Sequence, residues 1–456
     1  MRTLSFWSGI VCALLCGLVD PVWGYAAVFA LSLVQLSMLG GSGGSVFLLV
    51  HYATILTYFS LAPAMQIAYD VSFWEAGVLA TASHTQALVL LLLYMAGVEA
   101  ARLGVADGPA HLPGRHDTHL VGVAHPLLLL LSCSLAAFAT LFIRPDLNFV
   151  ARGIVSDEEG VPIDFIFYST LPKMVVLLCF VALAIHAVRS KTLWAWCAAG
   201  LAGMLAAIAA NPVNTARQIL LIGLLPLLIH AFGRGRRWVL GAVIFGAIAG
   251  LGPVLNLISR GSFWGEELTT FPFSQDFDAQ YVVAGILERA PIPDLGWGRY
   301  LLSAVSFFLP RDLKMFPDFD PLGWSAILGN FSQSNLSLPP FTTAYFDFGL
   351  AGPALLGLVL SAVFRRVDRA IDPNRALSGG YLAALVMLAA YVPFMRGPIL
   401  GWGPFATSGL IAALVAGVLC SRARRVQRIH VAQLHVVRHA PHHAPHHTAH
   451  QDLPHA

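Results

Sequence analysis

Apolar runs about as long as a bilayer is thick recur along almost the whole chain, and they limit its fold more than any other feature. A transmembrane helix needs about 20 apolar residues to cross a hydrocarbon core of ~30 Å. Twelve such spans are predicted, near residues 4–19, 23–39, 46–69, 78–100, 121–143, 171–188, 192–210, 218–232, 238–258, 341–363, 379–395 and 404–420. The runs are continuous and not alternating, which argues against a β-barrel. Only 11% of residues are charged, against roughly 25% in soluble domains. So little charge cannot cover a surface that faces water. The expectation is an all-α, polytopic membrane protein, a single membrane domain over 1–429 with a His-rich, low-complexity tail over 430–456. Arg2 before an apolar run also fits a signal peptide. The run has no clear small-x-small site and a second run follows at once, so it is expected as the first helix.

The distribution of Lys and Arg sets an orientation. The clusters Gly-Arg234-Gly-Arg236-Arg237, Arg365-Arg366-Val-Asp-Arg369 and Ser-Arg422-Ala-Arg424-Arg425 all fall on one side of the predicted spans. That side is expected to be cytoplasmic, with both termini there. The opposite side carries two longer segments, from Arg144 to about Thr170 and from Ser259 to about Pro340. Loops that long are uncommon without a role. In the larger one, Asp276 reads as a helix cap, and Phe277, Tyr281, Gly285 and Ile286 share one face of the helix after it. A second short helix is predicted from Trp297 to Leu309, stopped by Pro310. Both are expected to lie on the membrane surface, leaning their aromatics into the interface.

Arginines on the outer side run against the charge bias and carry the most information. They are Arg144, Arg152, Arg217, Arg260, Arg289, Arg299, Arg311 and Arg396. Near membrane depth an unpaired arginine is costly, and such residues tend to face a cavity or ligand. Any one of them alone reads more readily as a snorkelling or acid-paired residue that holds a loop. Arg217 opens a span after the polar turn Asn211-Pro-Val-Asn214-Thr-Ala. Arg396 lies in the tight break Phe394-Met-Arg396-Gly397-Pro398. A guanidinium fork matches phosphate oxygens bidentately. Arg217, Arg260, Arg299, Arg311 and Arg396 are therefore candidates for holding a lipid diphosphate, and Tyr281, Trp297 and Tyr345 for stacking on sugars, with Trp264 beside them. Glycosyl transfer needs a base for the acceptor hydroxyl. Asp278, Glu288 and Asp312 lie nearest the loop helices and are the candidates, although each also suits a cap or an ion pair. Asp276 and Asp278 are two apart, so at most one faces a given helix side. His51, His84, His125, His186 and His230 lack ligand partners at helical spacing and read as helix–helix contacts. The chain carries no nucleotide-binding, dinucleotide or zinc-protease motif, so no cofactor, metal site or nucleic-acid partner is expected.

These residues stand in a particular order. The Asn-Pro turn leads to Arg217. A large outer loop follows, then Leu309-Pro310-Arg311-Asp312-Leu-Lys-Met-Phe-Pro-Asp-Phe-Asp-Pro321. Thr342-Thr-Ala-Tyr345-Phe-Asp347-Phe-Gly-Leu-Ala-Gly-Pro353 comes next, and Phe394-Met-Arg396-Gly-Pro398 last. Over roughly 200–410 the chain resembles the O-antigen and exopolysaccharide repeat-unit polymerases of the Wzy type. The resemblance implies a GT-C-like membrane fold in the bacterial inner membrane. It implies a glycosyltransferase that polymerises undecaprenyl-diphosphate-linked oligosaccharides at the periplasmic face, beside a chain-length regulator and a flippase. Arg217, Arg311 and Arg396 match the arginines of that pattern. The ligase that moves finished glycans to the lipopolysaccharide core is the nearest rival reading. A polysaccharide or lipid transporter is the other, but few charges sit mid-span. In a cysteine-free background, Gly265→Cys should react with a membrane-impermeant thiol reagent from the periplasm. Reaction only after lysis would reverse the orientation.

Overall fold

A computed structural model of the protein describes residues 2–40, 45–103, 126–143, 163–213, 215–232, 237–252, 254–255, 271–290, 295–306, 315–316, 326–332, 336–371, 377–398 and 402–420. Among these residues there are helices and no strands. In chain order they are α1 (Arg2–Val19), α2 (Pro21–Leu39), α3 (Val46–Ala68), α4 (Thr81–Ala100), α5 (Pro126–Ile143), α6 (Ile163–Ser190), α7 (Leu193–Ala209) and α8 (Arg217–Phe232). Next come α9 (Arg237–Gly246), α10 (Ala279–Arg289), α11 (Arg299–Val305), α12 (Pro340–Phe348), α13 (Ala351–Ala370), α14 (Gly379–Arg396) and α15 (Trp402–Cys420). Among the described residues seven helices are long and apolar enough to cross a membrane, namely α1–α4, α14, α15 and Thr170–Ser190 of α6. Pro126–Phe142, Leu193–Ala209, Arg217–Phe232 and Trp238–Leu251 are shorter apolar helices. Large apolar side chains such as Leu15, Leu135, Phe138, Trp194 and Met204 point outward. Water would expose all of that surface, so a bilayer is the solvent that fits it.

The ends of these helices are written locally. Asp20 accepts from Val22 N at 2.8 Å and Pro21 opens α2. Ser45, Thr192 and Ser378 cap α3, α7 and α14 through their hydroxyls. Each such side chain satisfies an amide that the helix leaves without a partner.

The almost wholly buried α3 runs through the centre of the bundle and packs on α2, α9, α13 and α14. Polar side chains tie it to its neighbours. His51 Nδ1 meets the Tyr391 hydroxyl at 2.6 Å, and that hydroxyl meets Tyr94 at 2.8 Å. Glu99 accepts from Tyr52 at 2.8 Å and from Arg2 at 3.1 Å. His230 pairs with Tyr381 at 2.6 Å. These contacts are what the isolated histidines predicted for His51 and His230. In an apolar medium a hydrogen bond between helices fixes rotation and register.

Several expectations are revised. The run 341–363 is not one helix. Gly349, with φ of 62°, breaks it into α12 and α13. The helix after Asp276 does not lie on a membrane surface either. Residues Ala279 to Leu287 of α10 are buried against α4. Hydrogen bonds hold the segment in place. Gln66 Nε2 donates to Pro272 O (2.7 Å) and Phe277 O (3.0 Å), and the Tyr281 hydroxyl donates to Gly77 O. Asp276 is not the cap of α10, because it sits in the 3-10 turn Gln275–Phe277, whose opening is capped by Ser274. The second loop helix begins at Arg299, two residues later than predicted, and is described as far as Val305, while residues 307–309 lie outside the described residues.

Helices α4 and α13 meet backbone to backbone. A Cβ on Gly97 would stand 2.0 Å from Ala354 O, and one on Gly357 2.3 Å from Tyr94 O. Gly97→Leu should therefore destabilise the protein by about 1–3 kcal/mol. Gly246→Ala, with open space around it, should change stability by less than about 0.5 kcal/mol. Thermal unfolding of the two variants in detergent compares them.

Candidate functional site

The site forms where several helices depart from regular geometry. Two π-helical turns occur among the described residues, Thr57–Leu61 inside α3 and Ala247–Leu251 after α9. Pro226 interrupts α8 and Pro393 interrupts α14. Extra residues and missing amide donors widen a helix and move side chains off their usual stations. Around these irregular turns lies a hollow of about 480 Å³. Its walls are mainly apolar, from Leu177 and Phe180 of α6, Leu221 and Leu224 of α8, and Ile248 and Leu251 of the second π turn. Tyr58, Arg217, Asp276 and Arg396 are among its polar lining residues. Leu251, at the end of the second π turn, is among the exposed large apolar residues that line the hollow.

Arg217 is the first residue of α8. The turn before it is closed by Asn211, whose side chain accepts from Val213 N at 3.0 Å. Lys173 of α6 donates to Thr215 at 3.2 Å and braces the same turn. Arg396 is the last residue of α14. The two arginines converge on Asp276. Arg217 grips its carboxylate with both terminal nitrogens, one to Oδ2 and the other to Oδ1 at 2.6 Å. Arg396 reaches Oδ1 at 3.4 Å. Arg396 Nε is buried and makes no hydrogen bond among the described residues. Two guanidiniums thus converge on one carboxylate at the edge of an apolar space. Such a cluster suits an anion with an apolar tail.

Asp278 lies behind this cluster. It is buried, and its Oδ2 accepts from the Trp74 indole at 2.7 Å. Its Oδ1 is buried without a hydrogen-bond partner. Burial pushes its carboxyl above the ordinary carboxylate range, and neighbouring Asp276 adds to that push. Arg396, Ser337 and Trp74 pull the other way without cancelling it.

The other candidates are distributed differently. Glu288 accepts from Ala80 N at 2.8 Å and from Ser83 at 3.3 Å, and so caps α4. Its carboxylate holds a helix end and does not line the hollow. Arg289 donates to Gly329 O. Arg299 lies over the Phe316 ring, 5.8 Å from its centroid, and is not part of the hollow. Tyr281 is buried and packs edge-on against Phe73, while Tyr345 is buried in α12. Neither ring offers a face to a sugar. Trp297 is 72% exposed and could. Arg260, Arg311, Asp312 and Trp264 lie outside the described residues. In the sequence Asp276 reads as a helix cap. Its partners are 59 and 120 positions away, and no local signal marks such a pairing. Tyr58 was missed for the same reason.

Compared with family models, curated proteins and solved structures, the chain has no significant match.

The environment of Asp278 makes a sign-definite prediction. A folded-state pKa above the unfolded one means that the native protein binds the extra proton. Stability is then highest below the ordinary carboxylate pKa and falls as pH rises toward the folded value. Asp278→Asn should raise the melting temperature at neutral pH and leave it nearly unchanged in acid. Equal shifts at both pH values would remove the burial argument.

Proposed function

We propose that the chain is a glycosyltransferase of the outer face of a bacterial inner membrane. It polymerises oligosaccharide repeat units carried on undecaprenyl diphosphate, for O-antigen or exopolysaccharide. The reading is supported above all by one observation. Arg217 and Arg396, the two outer arginines that sequence position singled out, share one carboxylate at the polar edge of an apolar hollow. A polyprenyl diphosphate has the matching form, two phosphates on an apolar chain. In this reading the first isoprene units lie along Leu221, Leu224 and Ile248, and the guanidiniums hold the phosphates.

The chemistry follows from where charge develops. An acceptor hydroxyl attacks the anomeric carbon and the bond to the diphosphate breaks. Negative charge grows on the departing phosphate oxygen. Donors fixed beforehand near that oxygen stabilise the transition state more than the ground state. No step in this scheme needs a nucleotide. The fold reading that goes with it is a GT-C-like membrane domain of twelve crossings. These comprise the seven long apolar helices, the four shorter ones and α13. Both termini are cytoplasmic, and a flippase and a chain-length regulator are the natural partners.

Arg217→Ala and Arg396→Ala should each reduce long-chain polymer by roughly 100-fold or more while the protein still inserts. Polymer length on gels of the native host's glycans reads the effect. Single repeat units on the acceptor identify a polymerase, whereas no glycan on the acceptor identifies a ligase. Wild-type chain length in both variants would rule out the assigned roles.

A further inference from the structure

Asp276 is the only carboxylate among the described residues that lines the hollow. Glu288 is engaged as a helix cap, and Asp278 does not reach the lining. We infer that Asp276 is the base that takes the acceptor's proton, and that Arg217 and Arg396 mask it until a diphosphate displaces it. The inference rests on the glycan transfer proposed above.

The resting geometry makes Asp276 a poor base. Two guanidiniums bonded to one carboxylate favour its ionised form and lower its proton affinity. The same forks fit phosphate oxygens. A diphosphate diester brings two negative charges where the carboxylate brings one. Arg217, Arg396 and Asp276 together carry one net positive charge. With the diester bound, the sum becomes one negative charge. The displaced carboxylate then has a dianion on one side and Asp278 on the other, and both raise its affinity for a proton. Asp276 belongs to a three-residue 3-10 turn and not to a long helix. Its side chain can therefore leave the arginines without moving a span.

The step balances. The acceptor oxygen bonds to the anomeric carbon and its proton passes to Asp276. The bond from that carbon to the diphosphate breaks, and its electron pair stays on the phosphate oxygen. The released diphosphate leaves Arg217 and Arg396, Asp276 gives its proton to water, and the arginines recapture the carboxylate. The base is thus exposed only when a donor is present.

The test uses full-length protein in nanodiscs. The probe is an undecaprenyl diphosphate diester bearing one N-acetylhexosamine, which has no titratable group of its own near neutral pH. Asp276→Asn should bind the probe at least as tightly as wild type, about tenfold tighter where the competing charge is lost. In cells it should lower polymer by roughly 100-fold. Weaker binding by Asp276→Asn would show that Asp276 only positions the arginines, and retained polymer would remove the base role. If the variant does not fold, wild-type protein still decides. Probe binding at mildly acid pH should take up protons, seen by calorimetry as heat that depends on the buffer. Heat independent of the buffer would overturn the inference. Probe binding that survives Arg217→Ala would overturn the diphosphate reading itself, and this inference with it.

Discussion

Two guanidiniums held on one carboxylate tie the segment before α10 to the facing ends of α8 and α14, two helices that also pack along their length. Arg217 begins α8, Arg396 ends α14, and Asp276 belongs to the segment before α10. Removing these charges from water is costly, and in the resting state their mutual contact offsets that cost. The cluster therefore acts as a clasp. Other polar contacts share the load. Trp74 holds Asp278, Gln66 holds the carbonyls of Pro272 and Phe277, and Glu288 closes the start of α4. A stretch that would otherwise cross the membrane surface as a loop becomes a buried part of the bundle.

The hollow beside the clasp has a complementary origin. A regular, close-packed bundle leaves little internal space. Here α3, α8, α14 and the end of α9 each carry a π turn or a proline near the same volume. In lipid, helix irregularities persist only where protein or a cavity satisfies the freed backbone groups. Arg217 supplies one such contact, donating to Gly252 O at 3.4 Å just past the second π turn. The charged clasp and the apolar space thus support one another. This pairing makes the site suited to a molecule with a charged head and an oily tail.

Most helix positions were legible in advance because hydropathy and capping are local. Asp20, Ser45 and Ser378 announce helix starts within a few residues of themselves. The break at Gly349 was not legible, because apolar residues continue across it and only the φ of 62° shows the turn. Arg217 and Arg396 stood out for a physical reason. In the orientation that the Lys and Arg clusters predict, they are positive charges where the bias disfavours them. Their carboxylate partner did not stand out, since several acids fall in the same predicted loop. Tyr281 and Tyr345 misled in the opposite sense. Aromatic residues in an outer loop suggest sugar platforms, and burial turned both into packing.

The sequence by itself determined the solvent, the helical class and the two arginines worth watching. Each follows from the transfer cost of a residue and its near neighbours, a quantity that is local in the chain. The tertiary structure alone decided that Asp276 meets those arginines, that Glu288 serves as a cap, and that an apolar space opens beside the clasp. Such facts depend on contacts between residues tens to more than a hundred positions apart. No local pattern encodes them, because the energy that selects them arises only when the whole bundle has packed.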